Sequence, residues 1–195
     1  EHLEIGDDFR FGCDRSGDFA FLQQAGQTFG FTVEEAVTVE LGGARVSSTR
    51  VRQALQVADF AVAEHLLGRP YAIAGRVVQG QQLGRQLGTP TANVQLKRHR
   101  VPLSGVFLVS VELDGVVRPG VANIGVRPSV KTDGFAHLEV HLLDFAGDLY
   151  DRRIVVVFHH KLRDEQRFAS LEALKSAIAA DVVAARAFWQ GQLNS

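Results

Sequence analysis

Along the first third of this chain the apolar residues recur at helical spacing between short strand-like runs, and from Tyr71 onward they alternate with polar ones. That change of period predicts two modules, 1–67 and 68–195, with the boundary near Gly68. In the first, His2 to Ile5 alternates like a short strand. Asp18 is placed to cap a helix carrying Phe19, Leu22, Ala25 and Phe29, and Gly30 to end it. Ala36 to Glu40 reads as strand again. Ser47 and Ser48 precede a helical stretch holding Val51, Ala54 and Leu55. Asp59 starts another with Phe60, Ala63, Leu66 and Leu67, which Gly68 and Pro70 stop.

In the second module the expected strands are Tyr71 to Val78, Val106 to Leu113, Val116 to Pro119, Val121 to Ile124, His137 to Leu143 and Arg153 to Phe158. Asp114-Gly115 is a hairpin turn between two of them. Short strands in such a series predict a small antiparallel barrel. Ser170 then caps an amphipathic helix whose stripe is Leu171, Leu174, Ile178 and Val182, long enough to close one side of that barrel. The expected fold class is α+β: a six-stranded antiparallel barrel with a C-terminal helix, preceded by a shortened α/β module.

Composition narrows the partners. The 195 residues, 46% of them hydrophobic and 22% charged, suffice for one good core or two modest ones. A formal net charge of −1 supplies no electrostatic footprint for nucleic acid or an anionic membrane. Cys13 is the only cysteine, which excludes an internal disulfide and fits a reducing compartment. No apolar run reaches the roughly 18 residues that span a bilayer, and no basic-then-hydrophobic segment opens the chain. The expectation is a cytoplasmic protein acting on small molecules, without nucleic acid or membrane partners. With Glu1 first and no methionine anywhere, the chain is expected to be a fragment of a longer product.

The chemistry concentrates in Gly80 to Asn93, GQQLGRQLGTPTAN. Gly80, Gly84 and Gly88 allow positive φ and close approach to a ligand, so that successive N–H groups can form an anion-binding concavity, and Arg85 adds a positive charge. Thr91 and Asn93, after the restraining Pro90, offer a hydroxyl and an amide oxygen, hard neutral ligands suited to a magnesium ion carried on nucleotide phosphates. The spacing is not that of a Walker A loop. Glu139 sits in an apolar strand between Leu138 and Val140, sharing one face with His141. On pattern alone that face can equally meet water or a substrate. Arg163, followed by Asp164 and Glu165, reads by itself as a surface charge pair.

These segments resemble a known family. LLGRPYAIAGRVVQG, the Pro-Thr-Ala-Asn tail, GVFLVSV, PGVANIGVRPSV, LEVHLLDFAGDLY and LRDEQRFASLEALKSAI are similar, in order, to the riboflavin kinase module of bacterial bifunctional riboflavin kinase/FAD synthetases. IGDDFRFG and VSSTRVRQAL look like the later part of the same family's FMN adenylyltransferase module. An HxGH-type motif, which that module carries near its start, is absent from this sequence. The resemblance implies that ATP phosphorylates riboflavin to FMN with Mg2+. It further implies that Gly80, Gly84, Arg85, Gly88 and Thr91 hold ATP, and that Thr91 and Asn93 hold the metal.

By the same resemblance Glu139 is the base and Arg163 borders the flavin, while His141 receives no role. Arg127, Pro128 and the stretch Ser129 to Gly134 resemble a flap over the substrates. Ser47, Ser48, Thr49 and Arg50, at a helix N-terminus, match the adenylyltransferase phosphate site. Asp151 departs from the family, which commonly has glycine after the Leu-Tyr pair. The alternative reading is a barrel that carries or stores FMN without catalysis.

Overall fold

A computed structural model describes residues 1–6, 8–80, 84, 88–96, 101–126 and 136–193. Arg85 and the expected flap at 127–134 lie outside the described residues. The chain forms two compact units, Glu1–Ser48 and Thr49–Ser195.

In the first unit, β1 (His2–Ile5) and β2 (Thr32–Glu35) pair in parallel and are joined by α1 (Phe19–Phe29). The Asp18 carboxylate accepts from the Phe21 N–H at 2.9 Å, and Gly30 ends the helix at φ 77° with its N–H on the Gly26 carbonyl, so both caps are as expected. The strand expected at Ala36 to Glu40 forms only from Glu40, as β3 (Glu40–Leu41), which turns through Gly42 and Gly43 into β4 (Ala44–Arg45). The parallel partner of β1 carries one apolar residue, Val33, among Thr32, Glu34 and Glu35. Such a run shows no usable alternation.

The second unit begins well before Gly68 because two helices share the barrel's core. From α2 (Ser48–Gln56), Ala54 and Leu55 enter it, and from α3 (Phe60–Leu67), Phe60 and Ala63 do so. Phe60 stands edge-on to Phe107 at 5.9 Å and stacks on Phe158 at 6.2 Å. Full burial of each such ring contributes about 1.5–3 kcal/mol. Asp59 caps α3 through the Val62 N–H, and Gly68 terminates it at φ 68°.

The barrel is closed, in the order β10-β5-β6-β9-β8-β7. Its strands are β5 (Ala72–Val78), β6 (Ala92–Val94), β7 (Gly105–Leu113), β8 (Val116–Val126), β9 (Ala136–Leu142) and β10 (Arg153–Arg163). Six strands were expected, but their membership differs. The runs on either side of Gly120 are one strand, β8, and the sixth is β6, hidden in the Pro-Thr-Ala-Asn tail and too short to show a period. Pro119 is tolerated inside β8 because its carbonyl receives the Leu143 N–H at 2.9 Å, where the ladder to β9 is ending. Asp114 and Gly115, at φ 52° and 75°, make the expected tight hairpin. Asp151 adopts φ 61°, the left-handed region where the resembling family commonly has glycine. Its backbone is pinned there by Arg76 and by the Val77 carbonyl.

Alternation assigns the faces. Ala92, Val94, Phe107, Ala122, Leu138, Val140 and Val156 fill the interior, and their neighbours face outward. The helix α4 (Leu171–Leu193), capped by Ser170, lies on this outer wall, where Val182, Phe188 and Trp189 pack on Val106, Leu108, Val121 and Leu143. Arg186 grips Asp144 through two bonds of 2.8 and 2.7 Å, tying the helix to the loop after β9.

Candidate active site

Glu139 projects from the outer wall, not into the barrel. Antiparallel register sets Asn93 of β6 and Asn123 of β8 directly beside it, and Val106 of β7 beside Asn123. The row continues to Arg163 on β10, paired with Val106 after two register shifts, between Phe158 and His160 and between Lys161 and Arg163. Each bulge adds one residue and so re-aims the side chains beyond it. Because there are two, Arg163 keeps the outward face that alternation gives it, but it moves into the row of Glu139, where an unbroken register would set Lys161 opposite Val106.

The glycines of the loop act mainly through size. Gly80 and Gly84 do not take positive φ, which corrects the expectation for them; Gly88 does, at 80°. A Cβ on Gly80 would overlap the Asn93 amide. On Gly84 it would press on the Thr89 carbonyl and come within 3.1 Å of the Thr91 hydroxyl. The absence of a side chain thus lets the backbone at Gly80 and Gly84 sit close against the two side chains expected to meet a metal.

His141, outside the expected set, anchors the same segment. Its Nδ1 lies 2.8 Å from the Pro90 carbonyl. A carbonyl only accepts, so Nδ1 carries the proton. This bond prolongs the pairing of β6 with β9 by one step toward Thr91. By the resemblance this segment meets magnesium–ATP, and on that expectation its KM should rise about fivefold in His141→Ala, the equivalent of one lost hydrogen bond of roughly 1 kcal/mol. His141→Asn, with a donor placed like Nδ1, should recover most of the loss. Equal KM values for parent and His141→Ala in steady-state assays would refute the anchoring role.

A cavity of about 270 Å³ opens above the row, between the barrel wall and α4. Gly84, Thr91, Glu139 and Arg163 line it, so four of the expected residues share one space. Its roof is apolar, with Phe168, Leu174, Ile178 and Val182. Arg163 is held by Asp181 of α4: Nε donates to the carboxylate at 3.0 and 3.2 Å and Nη2 at 2.8 Å. Its guanidinium lies over the Phe168 ring, 5.6 Å from the centroid. Glu165 packs on Gly125, where a Cβ would collide with its carboxylate, and receives the Ser104 hydroxyl at 3.4 Å. A second cavity, of about 640 Å³, is lined by Val77, Leu142, Phe145, Leu149 and Tyr150. Thr91 borders both.

Asn93 joins the group through its place beside Glu139, while Gly80 and Gly88 border neither cavity's described lining. Ser47, Ser48, Thr49 and Arg50 do stand at the start of α2, as expected. Sequence reasoning missed Thr89, Asn123, Phe168 and Asp181. Asp181 carried a signal, an acid on the apolar side of a helix, one turn from Ile178 and beside Val182. Asn123 carried a weaker one, an amide within a run of buried β-residues. Among the described residues no group of three or more His, Cys, Asp or Glu side chains converges on a metal position, and no helix is long and apolar enough to cross a membrane.

The riboflavin kinase family matches residues 67–189, and the FAD synthetase family matches residues 1–50. The bifunctional riboflavin kinase/FMN adenylyltransferase of Pseudomonas fluorescens is 76% identical over 187 residues, covering 96% of this chain and 60% of that protein. That of Escherichia coli (strain K12) is 55% identical over 189 residues, with the same coverage of 96% and 60%. The chain thus spans about 60% of the length of these curated relatives. Among solved structures, one described as a macrolide-efflux protein from Streptococcus pneumoniae aligns with a TM-score of 0.68 at 33% identity, covering 93% of this chain and 60% of that one.

Proposed function

This chain belongs to the riboflavin kinase family, and we propose that its barrel unit transfers the γ-phosphoryl group of ATP to the terminal ribityl hydroxyl of riboflavin, giving FMN and ADP. The observation that carries this reading is the meeting of two cavities at Thr91, with Glu139 in one of them. The apolar roof of Phe168, Leu174 and Ile178 suits a flat flavin ring, and the ribityl chain then runs along the polar row. The larger cavity offers Phe145 and Tyr150 to a nucleotide base, with its phosphates directed toward Thr91. Glu139 takes the hydroxyl proton, the ribityl oxygen bonds to the γ-phosphorus, and the bond to the β–γ bridging oxygen breaks in line with it.

The donors present fit a magnesium ion delivered with the nucleotide: a hydroxyl and an amide oxygen, packed against Gly84 and Gly80. Thr91 and Asn93 would hold it, and it would supply neutralisation of charge on the phosphates. Arg163, fixed by Asp181, borders the flavin rather than the phosphates. The proposed partners are these small molecules in the cytoplasm, with no nucleic acid. For the longer protein, FMN adenylyl transfer is proposed from the residue 1–50 match, with Ser47, Ser48, Thr49 and Arg50 at its phosphate site.

Incubation with riboflavin and magnesium–ATP, followed by separation of the flavins, tests the reading. FMN formation that needs both ATP and magnesium is expected. Tight flavin binding without FMN would leave a carrier instead.

A further inference from the structure

Asn123 faces Glu139 in register from β8, mirroring Asn93 on the other side of that carboxylate. Among the described residues its Oδ1 is buried without a hydrogen-bond partner, as is the Thr89 hydroxyl, and both residues line the cavity that holds Glu139. A buried acceptor left unpaired costs about 1–3 kcal/mol. Such atoms persist in native structures chiefly where something else supplies the partner. The neighbours on the same outer face, Val106 and Val121, have no side-chain donor to offer.

We infer that Asn123 reads the acceptor's polyol: its Oδ1 accepts a hydrogen bond from the hydroxyl on the carbon next to the one that is phosphorylated. The inference rests on the riboflavin kinase reading above. Side chains directly opposed on antiparallel strands have Cβ atoms about 4.5–5.5 Å apart. A 1,2-diol fits that spacing, one hydroxyl at Glu139 and its neighbour at Asn123. An alcohol without the second hydroxyl leaves Oδ1 unpaired, and a site built around a hydroxyl rejects analogues that lack it. The amide performs this recognition without placing a second negative charge beside the carboxylate.

The test compares riboflavin with 4′-deoxyriboflavin, which lacks only that hydroxyl, on the parent chain and on Asn123→Ala and Asn123→Ser. Both kcat/KM and flavin affinity from fluorescence quenching are measured, with circular dichroism to confirm folding. The parent should prefer riboflavin by about 10- to 100-fold. In Asn123→Ala the preference should shrink to about threefold or less, through loss of activity on riboflavin and little change on the analogue, and Asn123→Ser should fall between. A parent indifferent to the missing hydroxyl, or an alanine variant that discriminates as the parent does, overturns the assignment. If no flavin is phosphorylated the kinase reading fails by itself, and the affinities for the two flavins still decide the role of Asn123 by the same criterion.

Discussion

Glu139→Gln should lower the rate of FMN formation by roughly 10²- to 10⁴-fold while riboflavin and ATP affinities stay within a few-fold of the parent. The glutamine amide nearly matches the carboxylate in shape, and Asn93 and Asn123 beside it can accommodate an amide as readily as an acid. What it lacks is the ability to accept the hydroxyl proton. In a loose phosphoryl-transfer transition state the nucleophile has gained little bonding, so the deprotonation demand is modest and the lower half of that range is expected. Initial rates by flavin separation, with affinities from fluorescence, check this. Glu165 also lines the cavity and provides the comparison. If Glu165→Gln lost as much rate while Glu139→Gln turned over normally, the base would be Glu165.

The next largest effect is expected at the pair joining the barrel to α4. Arg163→Met should cost about 3 kcal/mol of stability, because it leaves the Asp181 carboxylate, 9% exposed, without its cation. In a unit of this size that corresponds to a fall in melting temperature of roughly 6–12 °C. Replacing both partners, Arg163→Met with Asp181→Leu, should restore most of the loss, since two apolar groups leave no buried charge to solvate. The flavin affinity should not return with the stability if the guanidinium borders the ring. Thermal melts and flavin titrations of the single and double variants separate the two effects. An unchanged melting temperature in Arg163→Met would mean that the pair does not hold the helix down.

Much of this was legible in order along the chain. Asp18, Asp59 and Ser170 each accept the backbone hydrogen bond expected of a cap, and Gly30 and Gly68 end helices in the left-handed conformation. Those signals are local: a side chain three residues from its partner, or a glycine where only a glycine is unstrained, acts the same way in any fold. The interior face of β9 was equally readable, since Leu138, Val140 and Leu142 alternate with His137, Glu139 and His141.

Local sequence therefore dictates the caps, the faces of the longer strands, the tight turn at Asp114-Gly115 and the residue types of the candidate site. Which strands pair, and in what register, is set only by the folded whole, because hydrogen-bond ladders join residues far apart in the chain and leave no local trace. Long-range pairing made a barrel strand of Ala92–Val94, whose three residues acquire a strand conformation only between β5 and β9. It also shifted β10 twice, and so set Arg163 in the same row as Glu139 and against Asp181. The two asparagines flank that carboxylate for the same reason: side chains on neighbouring antiparallel strands meet by register, which a closed barrel fixes only when all its strands are in place.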